Sequence, residues 1–297
     1  MGGATALLLA VGCQGLGKIT EGVTSIAVAT GTVSQEQADS INKSAQAVEK
    51  TFADITPEQE YYIGRAVIAT VLQTYKPLDA RKANDYLNRL GQALAMASDR
   101  PETFGGYRFL LLDSDDINAF AAPGGLVVIT RGMFNLCASE DELAAVLAHE
   151  VAHAQLSHGL RAIKTSRLTS ALTTLAVEAG KNLGGQQLSE VTRAFEGSIG
   201  DITQTMMNSG YARSAEYQAD AAAVTILGRV GYDPQGLVRM LEEMKRRLKP
   251  GGLDFAKTHP DPNDRIARVR RLMAAPVAAA APDARQRRFA AARGALD

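Results

Sequence analysis

One stretch, 139–158, constrains this chain more than any other, because it predicts a single helix with reactive side chains on one face. Ser139 is followed three residues later by Glu142, a capping box that indicates a helix start. Within the helix, the run His149-Glu150-Val151-Ala152-His153 places two histidines one turn apart, about 40° from each other around the axis. Two imidazoles at this spacing can share one metal ion, so the stretch predicts half of a zinc site.

Two further residues of this stretch, Glu150 and His158, have predicted positions relative to the metal. Glu150 points beside the shared metal, where a carboxylate can take a proton from attacking water, as in metal-dependent hydrolases. His158 is nine residues past His149, on nearly the opposite face of a continuous helix, so we expect it to face solvent. A third histidine of the metzincin type would fall at position 159, which is glycine, and that class is excluded. The motif alone does not exclude the alternative that these are two ordinary histidines, on the surface or in the core, that bind no metal.

The composition is that of an ordinary globular protein. The chain has 297 residues, 46% of them hydrophobic, with 32 basic and 32 acidic side chains. This neutral balance gives no electrostatic reason to expect a nucleic-acid partner. No apolar run approaches the length of a membrane-spanning helix. With only two cysteines, Cys13 and Cys137, no disulfide framework is available.

The N-terminal residues resemble the signal peptide of a bacterial lipoprotein. Residues 1–12 are small and apolar and end directly before Cys13, the residue that would carry the lipid. No basic residue precedes the apolar run, and the alternative is a frayed terminus with a buried thiol. We expect residues 13–33 to form a tether that holds the protein on the periplasmic side of the envelope. Because Gln14 is not aspartate, the outer membrane is favoured in a Gram-negative source.

Periodicity and turn residues predict the remaining elements. A small sheet is expected from two short runs, Tyr107–Leu112 and Leu126–Thr130, with a turn at 123–125 that favours a hairpin. Glycine-punctuated helices should fill 159–210, either as packing helices or as a movable wall of the site. The predicted helices cover 34–52, 57–75, 79–97 and 161–178.

The third metal ligand is best supplied by the run Arg213–Asp220. Glu216 and Asp220 are four residues apart and therefore share one helical face, with the small Ala219, Ala222 and Ala223 beside them. Small side chains let this helix approach the histidine helix closely. We expect Glu216 to bind zinc and Asp220 to accept the outer N–H of a ligand histidine. The alternative is a carboxylate pair on an exposed helix.

Taken in order, several motifs resemble metallopeptidase family 48. They are NAFAAPGG, a strand, HExxH, RSAEYQAD, GYDP and THPDPNDRI, and they cover about 56–273. The resemblance implies an α+β, mostly helical zincin-like (gluzincin) domain over 34–273, with a small sheet beside the HExxH helix. It also implies one zinc per chain and endopeptidase activity, and it is strongest toward minimal lipoprotein members.

The resemblance assigns roles residue by residue. His149, His153 and Glu216 match the zinc ligands, and Glu150 matches the general base. Asp220 matches the supporting catalytic carboxylate. Arg213 holds the arginine position three before the ligand glutamate, and we expect it to support the ligands together with Asp220. The function implied is proteolysis of unfolded or misassembled envelope proteins. The rival reading is a non-catalytic, zinc-stabilised, chaperone-like lipoprotein, against which an intact Glu150 argues.

Two further site predictions concern substrate and regulation. Leu126–Thr130 is expected to be an edge strand that pairs with extended substrate, with Asn118, Ala119 and Gly125 along the same groove. His259 is stiffened by prolines on both sides. It can cap a neighbouring group, donate to the oxyanion, or occupy the fourth metal position as an inhibitory latch, and relatives in the family carry a histidine in this motif.

The last residues, 274–297, are rich in alanine and arginine and are broken by two prolines. This composition predicts a disordered or loosely helical tail. A helix whose arginines face a membrane surface is the alternative.

Overall fold

Proline and capping residues set the helix ends as the sequence predicts. The computed structural model describes residues 35, 55–162, 196–197, 199–247, 261–273 and 283–296. Helix α1 spans Pro57–Thr74, beginning at the proline, and helix α2 spans Arg81–Met96. The predicted helices over 57–75 and 79–97 are therefore confirmed. Those predicted over 34–52 and 161–178 lie almost entirely outside the described residues.

Three short strands form one sheet, in an order that differs from the predicted hairpin. The strands are β1 (Arg108–Leu112), β2 (Ala119–Ala122) and β3 (Leu126–Thr130), arranged β1–β3–β2. β1 pairs with β3 in parallel, and β2 pairs with β3 antiparallel. A tight turn cannot join parallel neighbours, so the turn at 123–125 connects β2 to β3 instead. Both predicted strands and their pairing are confirmed, but the hairpin is wrong.

β3 is consequently the central strand, and the prediction of an edge strand at Leu126–Thr130 is wrong. The two edges of the sheet are β1 and β2, and the sequence did not reveal β2. All four of its residues are buried, and three are alanines. Such a run shows neither alternation nor enrichment in β-branched residues, the two signals that identify strands.

Helix α4 (Glu140–Gln155) carries the histidines and is buried from its first residue to Ala154. It follows the short helix α3 (Arg131–Leu136). Ser139 Oγ accepts the backbone N–H of Glu142 at 3.3 Å, and the Glu142 carboxylate reaches back to the N–H of Ala138 at 2.7 Å. The predicted capping box is thus confirmed, and it satisfies N–H groups that the helix leaves unpaired.

The second half of the domain wraps α4 with helices. Helix α5 (His158–Arg161) follows Ser157, whose φ of 54° breaks the line of α4. A π-helical turn, Thr205–Ser209, precedes helix α6 (Arg213–Val230), and helices α7 (Gln235–Arg247) and α8 (Pro262–Leu272) come next. Ala219 and Ala223 are fully buried on α6, which packs on α4. The predicted close approach of these two helices is confirmed.

The C-terminal segment is ordered where the structure describes it. Helix α9 spans Asp283–Arg293, and its Phe289 stacks on Phe134 with ring centroids 5.6 Å apart. Arg288 forms an ion pair with Glu140, a fully buried carboxylate at the start of α4. The predicted disordered or loosely helical tail is therefore helical in these residues, and it packs on the domain. Because Arg288 pairs with Glu140 inside the domain, it does not belong to a surface of arginines that faces a membrane, which was the predicted alternative.

All these elements belong to one compact unit, Pro57–Asp297. Helices dominate it, and the three-stranded sheet lies against the histidine helix through β2. The predicted α+β class, mostly helical with a small sheet beside α4, is confirmed. No helix in the described ranges is both long and apolar enough to cross a membrane.

Candidate metal centre

Two helices bring three predicted metal ligands together in the interior. His149 and His153 come from α4 and Glu216 from α6, and none of the three is more than 1% exposed. The Nε2 atoms of the histidines are 3.0 Å apart. The Glu216 carboxylate oxygens lie 3.5 Å from His149 Nε2 and 3.4 Å from His153 Nε2. One possible donor atom from each of the three residues lies within 4.8 Å of the other two.

The donor set fits zinc. Ligand atoms about 2.1 Å from a tetrahedral zinc ion lie about 3.4 Å from one another, close to the three separations seen here. Two imidazoles and one carboxylate are also the ligand types of catalytic zinc, which leaves a fourth position for water or substrate. His149, His153 and Glu216 would hold the ion.

Asp220 supports His149 from behind. Its Oδ1 atom lies 3.0 Å from His149 Nδ1, so that nitrogen carries the proton and Nε2 is left to bind metal. Burial and the charge of Arg265 lower the pKa of His149, but hydrogen bonds to Asp220 and Glu216 outweigh them and raise it to about 9. The carboxylates therefore make this cluster attract a cation.

Arg265 is the site residue that the sequence analysis missed. It lies on α8, is fully buried, and binds Asp220 with two hydrogen bonds of 2.7 and 2.9 Å. Burial raises the pKa of Asp220, but the charge and hydrogen bonds of Arg265 outweigh it and hold that pKa below its usual range. Arg213, predicted to support the ligands, is exposed at the start of α6, so Arg265 takes that place.

His158 is buried, contrary to the prediction that it faces solvent. Only 3% of it is exposed, and its Nδ1 atom lies 2.9 Å from His153 Nδ1. Its other nitrogen lies 3.2 Å from the Gln218 Oε1 atom. Burial and the charge of His153 lower the pKa of His158 to about 3. The neutral ring therefore accepts from His153 and donates to Gln218, which leaves His153 Nε2 unprotonated for metal.

We expect the substitution His158→Leu to lower zinc affinity by about tenfold to a hundredfold, because it removes the acceptor that fixes the His153 tautomer. His158→Gln, which can still accept a hydrogen bond, should lose less. Competition of each variant with a zinc-binding dye measures the affinity. Equal affinity in wild type and His158→Leu would show that this contact does not support the ligand.

Glu150 lies beside the three candidate metal donors and borders a small cavity. The cavity is lined on one side by β2, including Ala119, and on the other by residues from the turn before α6. Glu150 is 2% exposed, and its Oε1 atom has no hydrogen-bond partner among the described residues. Burial raises the pKa of Glu150, although the neighbouring histidines oppose this. A carboxylate so placed can receive a proton from a molecule in the cavity.

Most of the other predicted site residues do not line this cavity. Asn118 is buried, but its side chain accepts the N–H of Ala119 at 2.9 Å and does not line the cavity. Gly125 packs against the ring of Tyr107, away from the cavity. Of the predicted groove residues, only Ala119 lines it. His259 and Cys13 lie outside the described residues.

Comparison with known proteins gives consistent matches. The beta-barrel assembly-enhancing protease of Escherichia coli K12 is 30% identical over 187 residues, 62% of this chain and 38% of that protein. Mitochondrial metalloendopeptidase OMA1 of Schizosaccharomyces pombe is 32% identical over 158 residues, 51% and 42% of the two chains. Metalloprotease LoiP of Escherichia coli K12 is 25% identical over 160 residues, 54% and 60%.

The chain spans less than half the length of the beta-barrel assembly-enhancing proteases that it matches. The sequence profile of peptidase family M48 matches residues 81–273, a range that holds α4, α6 and α8 with all the site residues described above. This range is more than half of the chain. The chain belongs to peptidase family M48.

Proposed function

We propose that this protein is a zinc-dependent endopeptidase, with His149, His153 and Glu216 as zinc ligands and Glu150 as general base. The observation that carries the proposal is the position of Glu150. A buried carboxylate with an unpaired oxygen borders the cavity next to three convergent metal donors. A purely structural metal site would be closed by four ligands and would have no use for such a base.

Each residue of the site has a distinct task in this reaction. Zinc, when bound, would polarise the scissile carbonyl and make water nucleophilic near neutral pH. Glu150 takes the proton of the attacking water and later delivers it to the departing amine. Asp220 and His158 keep the ligand histidines in the tautomer that presents Nε2. Arg265 balances the negative charge of Asp220 behind the ligands.

The edge strand β2 gives the proposal a substrate class. Within the described chain, β2 pairs with β3 on one side only, and Ala119, Phe120 and Ala121 line the cavity that Glu150 borders. An extended polypeptide can pair with such an edge through main-chain hydrogen bonds, which requires no particular sequence. This favours unfolded or misassembled proteins as substrates. The similarity to proteases named for beta-barrel assembly supports the proposal that these substrates are envelope proteins.

Two parts of the proposal concern residues outside the described ranges. Lipidation at Cys13 would anchor the protein to the membrane, and mass spectrometry of the native protein decides it, since an unprocessed chain excludes the anchor. His259 would act as a latch at the fourth metal position. Steady-state cleavage by the zinc-loaded His259→Ala variant decides this, since a rise in basal activity supports a latch and a large fall supports an oxyanion donor.

We expect the purified full chain to hold about one zinc ion and to digest casein. A chelator should abolish digestion, and added zinc should restore it. Glu216→Ala should lose the metal, because two histidines alone leave the ion with too few protein ligands. Metal analysis and casein digestion measure both effects. Full zinc occupancy in Glu216→Ala would move the third ligand elsewhere, and a zinc-loaded chain that digests nothing would favour the chaperone-like alternative.

A further inference from the structure

Tyr211 lines the cavity and carries a hydroxyl that the reaction outlined above does not use. Its ring stacks on the ring of His153, with centroids 4.5 Å apart and an interplanar angle of 23°. Its side chain lines the cavity that Glu150 also borders. The phenol oxygen is buried and has no hydrogen-bond partner among the described residues. Most buried hydroxyls have a hydrogen-bond partner, and at a cavity wall a bound molecule can supply the one that is missing.

The backbone before Tyr211 holds the ring in this position. The π-helical turn Thr205–Ser209 ends at Gly210, which has φ 72° and ψ 169°. This conformation is open essentially only to glycine, and short π-helical turns are frequent at functional sites. Gly210 and Thr205 line the same cavity. The turn therefore delivers Tyr211 to the cavity wall opposite β2.

Thr205, the other residue lining the cavity that carries a hydroxyl, already has a hydrogen-bond partner. The hydroxyl of Thr205 donates to the carbonyl of Asp201 at 2.9 Å. The guanidinium of Arg265 binds Asp220, and His158 bonds His153 and Gln218. The hydroxyl of Tyr211 is a phenol and carries its proton at neutral pH. Tyr211 thus offers a neutral donor that needs an acceptor.

We propose that the Tyr211 hydroxyl donates a hydrogen bond to the scissile carbonyl oxygen of a peptide lying between β2 and Glu150. This inference rests on the proposed endopeptidase function. As water attacks, negative charge grows on that oxygen, and a donor fixed in advance stabilises the charge without reorganising. Tyr211 would then be a catalytic residue that touches the substrate, in addition to packing on His153.

The test compares Tyr211→Phe with wild type, both loaded with zinc. Phenylalanine keeps the ring that stacks on His153 and removes only the hydroxyl. We expect kcat to fall by about a hundredfold, with little change in KM, zinc content or thermal stability. A phosphinic peptide, whose phosphorus oxygen stands for the charged carbonyl oxygen of the transition state, should bind more weakly by a similar factor in calorimetry. An unreactive substrate-like peptide should bind equally to both proteins.

Tyr217→Phe is the matched control. Tyr217 lies on α6 with its ring under the guanidinium of Arg268, at 4.0 Å, outside the cavity lining. The Tyr217→Phe variant should cleave substrate peptides and bind the phosphinic peptide as wild type does. Tyr211→Leu, which removes the ring as well, separates packing on His153 from hydrogen bonding.

The outcomes distinguish this inference from the function on which it rests. If wild type and Tyr211→Phe cleave and bind the phosphinic peptide alike while Tyr211→Leu loses zinc, Tyr211 only packs on His153 and the inference is overturned. If Tyr211→Phe itself loses zinc, the hydroxyl serves the metal site and the inference is likewise overturned. If zinc-loaded wild type neither cleaves peptides nor binds the phosphinic peptide, the endopeptidase proposal fails and this inference fails with it.

Discussion

The substitution Glu150→Gln is expected to leave zinc bound and to lower kcat by about a hundredfold to ten-thousandfold. Glutamine has nearly the same shape as glutamate but cannot accept the proton of the attacking water. The three convergent donor atoms come from other residues, so the metal should stay. The Oε1 atom of Glu150 is buried and has no hydrogen-bond partner among the described residues. No other described residue lining the cavity has a carboxylate that could replace it. Metal analysis and steady-state cleavage of a fluorogenic peptide measure the two effects separately.

Glu58→Gln serves as the control for this prediction. Glu58 is exposed in the first turn of α1, so its substitution changes the same chemical group at a position outside the site. Its kcat and zinc content should equal those of wild type. Loss of zinc in Glu150→Gln would mean that Glu150 is itself a ligand. Undiminished cleavage by a zinc-loaded Glu150→Gln would assign proton transfer to another group.

Local sequence signals were sufficient wherever one helix determines the geometry. The capping box at Ser139 fixes the start of α4, and the period of the helix then brings His149 and His153 to one face. The same period aligns Glu216 with Asp220 on α6. Small alanines on that helix indicated how closely it packs on α4. These features depend on residues a few positions apart, so periodicity could predict them.

The prediction for His158 failed because it assumed an unbroken helix. α4 ends at Gln155, and Ser157 adopts a left-handed conformation with φ 54° before α5 begins. This kink changes the direction of the chain and returns His158 to the side of His153. Serine has no strong preference for this conformation, so the sequence carried no clear signal of the break. A single residue with positive φ thus separates an exposed histidine from a buried one.

Arg265 and β2 were missed because long-range contacts define them. Arg265 is 45 residues from Asp220 in sequence, and no local period connects the two. A signal was present, since Arg265 is directly followed by Ile266 and precedes Val269, both buried on the same helix. An arginine on the apolar face of a helix needs a buried acidic partner. Likewise, β2 is recognisable as a strand only through its pairing with β3.

The second large effect is expected from Arg265→Met, which should destabilise the folded protein by about 3–5 kcal/mol. The substitution removes the partner of a buried carboxylate, because Asp220 is only 2% exposed and its two oxygens bind the guanidinium. Arg270→Met is the matched control on the same helix. Its ion pair with Glu242 is about half exposed on both sides, so its loss should cost at most about 1 kcal/mol.

Denaturant unfolding of the metal-free variants measures these costs, and a double substitution gives the decisive comparison. Arg265→Met combined with Asp220→Asn removes both charges of this pair, so position 220 no longer holds a buried carboxylate without its guanidinium. The double variant should therefore be more stable than Arg265→Met alone, although asparagine still needs hydrogen-bond partners. It should also bind zinc less tightly than wild type, since His149 then loses its carboxylate partner. If Arg265→Met costs no more than Arg270→Met, the buried ion pair does not hold α8 against the metal site.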